Sequence, residues 1–251
     1  MTMDDKDNTY FLLTRFPGRY QPWWGFPSAS SAGRKKIKAF KNRLNLILPE
    51  IKLNENKTLI DIGCNVGWNT FELGSKGISV TGVDKSKSDI ELNNFLREYH
   101  NLDKNHIEFI AADANRFFRG HEKIKINKDV FNVKKKNTTY DYCICLNVMH
   151  HFLDQWKKNK AHYSKWMRDT GKKSLVFNEQ GIELLKNIQA NCKTAFFQIR
   201  LRTPFKSYEE EDSNFVKYLI NEIGFKSYKI LQTENSDDYL SAPNPIYMFN
   251  N

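Results

Sequence analysis

Apolar and polar positions along this chain repeat with two alternating periods. Thr58–Ile62, Ser79–Asp84, Ile107–Ala111, Tyr140–Leu146 and Ser174–Phe177 are short runs rich in β-branched and aromatic residues, as buried strands are. Between them the spacing turns helical. Trp68–Lys76 follows the first run, and Ser86–Tyr99 follows the second with Ile90, Phe95 and Leu96 on its sheet-facing side. Helical spacing returns around Phe152–Met167, from near Gln180, and over Ser213–Ile223, where Gly224 supplies a stop. Thr194–Arg202 fits neither period. Tyr228–Gln232 and Ile246–Phe249 read as the last two strands, too close together for a crossover helix, so the final strand is expected to run antiparallel. Strands alternating with helices predict an α/β fold built on a mostly parallel sheet with right-handed crossovers.

Residues 1–50 have a different character. Met1–Asn8 reads as a tail. Tyr10–Gly33 carries Phe11, Phe16, Tyr20, Trp23, Trp24 and Phe26 outside any periodic element, which suggests a lid-like segment over a pocket or a strap packed on the sheet edge. A helix is expected over about Ser31–Leu48, with Ile37, Phe40, Leu44 and Ile47 on one face. The principal domain then spans 51–251. It is interrupted by a polar, basic insertion at about 119–139.

The chemistry concentrates where the first strand meets its helix, at Asp61-Ile-Gly-Cys-Asn-Val-Gly67. Glycines there let the backbone turn sharply and approach a ligand that a Cβ would exclude. Asp84 ends the second strand about 20 residues after the first glycine, the spacing at which a carboxylate meets a ribose diol. A dinucleotide would bring a pyrophosphate and favour G-x-G-x-x-G. Here Asn65 replaces the middle glycine, the third is missing, since Thr70 stands three residues after Gly67, and Asp61 places a negative charge beside the turn. That acid suits an ammonium better than a phosphate.

With these residues the chain resembles the class I S-adenosylmethionine-dependent methyltransferases from roughly Thr58 onward. The resemblance implies a Rossmann-like sheet of seven strands, mostly parallel with an antiparallel last strand, and helices on both faces. It implies S-adenosyl-L-methionine as cofactor, held by Asp61, Gly63, Cys64, Asn65 and Gly67. Asp84 and Lys85 would lie at the ribose, Asp113 and Ala114 at the adenine, and Asn147 after the fourth strand. Asn147-Val-Met-His150-His151-Phe is similar to the segment that faces the transferred methyl. Either histidine could take a proton from an attacking hydroxyl, although adjacent histidines on a loop are not expected to point the same way. Tyr20-Gln21-Pro22 resembles the entry segment of methyltransferases in bacterial surface-polysaccharide biosynthesis, which brings Tyr20 and Gln21 to the cofactor and implies a glycan or other small-molecule acceptor.

Composition narrows the alternatives. A hydrophobic share of 40% with 14% aromatics excludes wholesale disorder. No apolar run reaches the roughly 18–20 residues of a membrane span, and the polar first residues point to a cytoplasmic protein. Cys143 and Cys145 share one side of a strand and read as small buried hydrophobes, with no companion ligands at metal spacing. The net charge of +10 gathers partly in Arg119–Lys136 and Lys157–Lys173. Such clusters suit phosphates, which opens an RNA acceptor as the second reading. The lack of N-P-P-Y or D-P-P-Y after the fourth strand weighs against an exocyclic base amine.

Overall fold

Thr58–Ile62 forms the first strand, β1, and Leu59, Ile60 and Ile62 on it are almost wholly shielded from solvent. A strand covered on both faces favours an apolar run rather than an alternating one, and here only Asp61 breaks the run Leu59–Ile62. The computed structural model of the chain describes residues 22–26, 33–53, 56–120, 123–126, 129–132, 139–152, 177–198, 215–231 and 246–251. These divide into two compact units, one running to Asp113 and the other from Ala114 onward and including the last strand.

In the first unit, α1 (Gly33–Ile47) is followed by a 3₁₀ turn at Leu48–Glu50 and by β1. Then come α2 (Trp68–Gly74), β2 (Ser79–Asp84), α3 (Lys87–Tyr99) and β3 (Ile107–Ala111). β1 pairs parallel with β2, setting Asp61 beside Gly82, and β2 pairs parallel with β3. Gly82 is required by crowding. A Cβ there would meet Phe109 and the Thr70 hydroxyl at 2.9 Å and the Cys64 sulfur at 3.1 Å. Ser86 caps α3, its hydroxyl accepting from the Asp89 amide at 3.4 Å.

The described part of the N-terminal aromatic segment is core. Trp23 and Phe26 are buried with Cys64, Val66, Phe71, Ile90, Leu92, Leu96, Ile107 and Phe109. Trp24 stacks on Phe71 with centroids 5.2 Å apart, and its indole N–H donates to Glu72 at 3.1 Å. Residues 22–26 are thus a strap packed on α2, α3 and β3.

The second unit contains α4 (Ala114–Arg119) and a hairpin of β4 (Lys123–Ile126) with β5 (Asp129–Asn132). Part of the expected polar insertion is therefore regular structure. It continues with β6 (Tyr140–Leu146), a 3₁₀ turn at Met149–Phe152, α5 (Glu179–Asn191) and β7 (Cys192–Gln198). Helical residues 215–218 run into a π turn, Leu219–Ile223, which ends on Gly224 at φ 97°, as its position in the sequence predicts. β8 (Ser227–Leu231) and β9 (Ile246–Asn250) close the chain. β6 and β7 are parallel, while β9 is antiparallel to both β7 and β8 and lies between them. The seven-stranded sheet has the order β3-β2-β1-β6-β7-β9-β8. It is the α/β arrangement expected, with the antiparallel last strand in place.

The sheet also takes in Cys192–Gln198, which overlaps the stretch that fits neither period. Just after Phe177, the Asn178 side chain accepts from the Gly181 amide at 2.9 Å and starts α5. Lys193 and Thr194 hid β7 in the sequence, although its Ala195, Phe196, Phe197 and Gln198 are all buried. Residues 174–176, and all of the helix expected at 152–167 except Phe152, lie outside the described residues.

Candidate cofactor-binding site

Asp61 enters the site from the buried end of β1. It is 2% exposed, and its carboxylate accepts from the Thr70 hydroxyl at 2.7 Å. Burial, assisted by the nearby Asp84 charge and opposed by the Thr70 bond, pushes its carboxyl up to about 7. The backbone then takes three alternate left-handed residues, Gly63 at φ 70°, Asn65 at φ 49° and Gly67 at φ 70°. The Gly63 and Cys64 amides donate to the Val83 carbonyl at 2.8 and 3.2 Å, so the turn is stitched to the end of β2.

Asp84, at that end, accepts the Asn65 amide on Oδ2 at 2.9 Å and the Ser86 amide on Oδ1 at 2.8 Å. Two backbone bonds fix the carboxylate plane. They also leave one lone pair per oxygen, since a carboxylate offers about four acceptor sites. A vicinal diol needs that pair of acceptors. The Ala112 amide donates to the Asp84 carbonyl at 2.9 Å, and the exposed Asp113 follows at the end of β3. Lys85 is exposed beside Asp84. The Cys64 thiol is buried and raised well above its usual range by that burial and by Asp61, Asp84 and Asp89, so it packs as a neutral group.

Gly67 shows how tightly the turn is built. Besides its left-handed backbone, a Cβ would come within 2.8 Å of the Phe109 ring and 3.1 Å of the Asn93 amide carbon. Gly67→Ala is expected to cost about 2–4 kcal/mol of stability, backbone strain and overpacking together. Thermal unfolding measures the loss, and calorimetry with the cofactor should show affinity falling in the same variant.

The remaining residues predicted for the site belong to the second unit. Ala114 opens α4. Asn147 is left-handed at φ 58°, with its amide donating to the Gln198 carbonyl at 2.8 Å and its side chain to Gln198 Oε1 at 3.0 Å. His150 is buried and His151 exposed on the 3₁₀ turn, and the two rings touch although their exposures differ, with centroids 4.0 Å apart. Tyr20 and Gln21 lie outside the described residues.

Thr70, Asp89, Asn93 and Gln198 escaped sequence reasoning. Asp89 had a signal, since Ser86-x-x-Asp89 marks a helix start. Asn93 sits between Ile90 and Leu96 on the apolar side of α3, where a polar residue calls for a partner. Gln198 lay inside the stretch of uncertain period.

A glycine turn after β1, a carboxylate held by two backbone amides at the end of β2 and a buried acid beside them sit together in an α/β fold. Residues 33–218 match the methyltransferase domain family, and the chain belongs to that family, the class I S-adenosylmethionine-dependent methyltransferases. It is 32% identical over 123 residues to a ubiquinone biosynthesis O-methyltransferase of Coxiella burnetii, covering 47% of this chain and 50% of that protein. A Rickettsia typhi protein of the same name is 27% identical over 113 residues, covering 43% of this chain and 38% of the relative. The chain thus spans about half the length, or less, of the curated relatives it matches. Among solved structures, the bifunctional kinase-methyltransferase WbdD superposes with TM-score 0.57 at 16% identity, over 97% of this chain and 46% of that one. Magnesium protoporphyrin IX methyltransferase of Synechocystis PCC 6803 with bound S-adenosylmethionine gives 0.52 at 13% identity, over 100% and 99% of the two chains. Both share the fold.

Proposed function

We propose that this chain transfers a methyl group from S-adenosyl-L-methionine to oxygen, with a saccharide or phosphorylated glycan as acceptor. The observation that carries the donor is the Asp61–Gly67 turn bonded to Asp84. When bound, the cofactor supplies a methyl on a sulfonium, activated for in-line displacement. The protein's part is alignment and exclusion of water. Asp61 meets the ammonium, Asp84 accepts from the ribose hydroxyls, and Asp113 accepts from the adenine amine. Lys85 flanks the ribose carboxylate, and the left-handed turn brings backbone close to the ligand. His150 or His151 receives the hydroxyl proton of the acceptor.

Oxygen as the target is supported by the O-methyltransferases among the sequence relatives. The glycan rests on the likeness of Tyr20-Gln21-Pro22 to polysaccharide enzymes, and the phosphate on the lysines of the insertion. Among the described residues no helix is long and apolar enough to cross a membrane.

The test incubates the chain and radiolabelled donor with a desalted lysate of the source cells, then separates RNA, protein, glycan-lipid and small molecules. Label in the glycan-lipid fraction is the expected result. Label in nuclease-sensitive material would replace the glycan with RNA and give the basic clusters a docking role, visible as steep salt dependence.

A further inference from the structure

Asn65 is where this turn departs from a glycine-rich one, and it is non-glycine in a left-handed conformation. Three bonds to residues of β2 and α3 hold it, besides the local one from the Cys64 thiol to its carbonyl at 3.8 Å. Its amide donates to Asp84 Oδ2 at 2.9 Å, its carbonyl accepts from the Asn93 side chain at 2.7 Å, and its own side chain donates to Asp89 Oδ2 at 3.4 Å. Asp89 and Asn93 are four residues apart on α3, one above the other on the face turned to the glycine turn. Asn93 is fully buried, on the same side of the helix as Ile90 and Leu96. An amide kept in such a place is costly unless its bond has a use.

We propose that Asn93, with Asp89, is a positioning residue for the cofactor. The pair clamps residue 65 so that its amide stays on Asp84, and that bond orients the carboxylate toward the ribose diol. The inference deepens the reading of the site as a donor pocket and rests on it. The clamp acts through Asp84 alone, so its loss is felt by ligands that carry the diol. It also stands in for the glycine absent at position 65, since glycine adopts φ > 0 without support.

Calorimetry with S-adenosylhomocysteine and its 2′,3′-dideoxy analogue tests this on the full chain. Asn93→Leu is expected to weaken binding of the diol ligand about tenfold, the size of one charge-assisted bond, while changing the dideoxy ligand less than twofold. In an Asn65→Gly background the same substitution should cost less than threefold, which is a coupling between the sites. Asn93→Ala, which removes the donor without apolar bulk, is the second variant and should repeat the pattern. Equal losses for both ligands, or an unchanged cost in the glycine background, would overturn the clamp, as would unchanged affinity. Failure of both variants to fold would make Asn93 a core residue and overturn it too. Wild-type protein that bound neither ligand would sink the donor pocket itself, a result distinct from all of these.

Discussion

Replacing Asp61 by asparagine is expected to weaken S-adenosylmethionine binding by about 10–100-fold while making the protein more stable at alkaline pH. The two effects have one origin. Asp61 is buried, and that burial holds its carboxyl at about 7, well above its ordinary value of 3.8. From 3.8 up to about 7 the folded chain keeps a proton that the unfolded chain has released, so stability falls as pH rises through that window. Above it, a carboxylate sits in a place that disfavours charge. Asparagine has the same shape and still accepts the Thr70 hydroxyl, but carries no such cost. The melting temperature of Asp61→Asn should therefore exceed that of the wild type more at pH 8 than at pH 5.

Binding shows the converse. A cationic ammonium favours the ionised acid, so the wild-type affinity should climb as pH approaches about 7 and then level. It should decline again once the ligand's own amine, with an ordinary value of about 7.7–8.0, loses its proton. The expected loss of 10–100-fold is that of one bond to a charged group, about 1.5–3 kcal/mol. In the variant the acid limb should vanish and the alkaline limb remain. Persistence of the acid limb in titration calorimetry of Asp61→Asn would remove Asp61 from the ammonium site.

The parts of this site that could be read from the sequence are those fixed by local backbone chemistry. Asp61, Gly63, Gly67 and Asp84 stand at strand ends, where apolar runs stop and turn residues begin, so their positions follow from the chain alone. The charge of Asp61 separated the cofactor from a dinucleotide for the same reason. What was hidden depends on distant parts of the chain. Thr70 matters because α2 returns it to Asp61, and Asn93 because α3 lies against the turn. Neither has a spacing signature. β7 was hidden because its first half carries a lysine and a threonine behind Cys192. Its parallel pairing with β6, from Tyr140↔Cys192 to Leu146↔Gln198, is a long-range fact that no local period contains.

Truncating Trp23 should show whether the aromatic strap is a cover or a foundation. A lid over the pocket would leave the melting temperature alone and change only turnover, and a domain beginning at residue 51 would leave Trp23 dispensable. The structure argues otherwise. Trp23 has no exposed surface and shares a cluster with Cys64 and Val66 of the glycine turn and with Phe71 and Phe109. Trp23→Ala removes the largest side chain type from that cluster and leaves a cavity, a change worth about 3–5 kcal/mol. For a chain of this size that lowers the melting temperature by roughly 6–20 °C. Cofactor affinity should fall with it, because Phe109 lies 2.8 Å from where a Gly67 Cβ would stand and has lost part of its support. Trp24→Phe is the companion variant. It keeps the stack on Phe71 but deletes the indole N–H that reaches Glu72, a half-buried bond worth about 1 kcal/mol. A large loss of stability at position 23 with a small one at 24 fits a strap held by burial. The reverse order would mean that the hydrogen bond to α2, and not the core, keeps residues 22–26 in place.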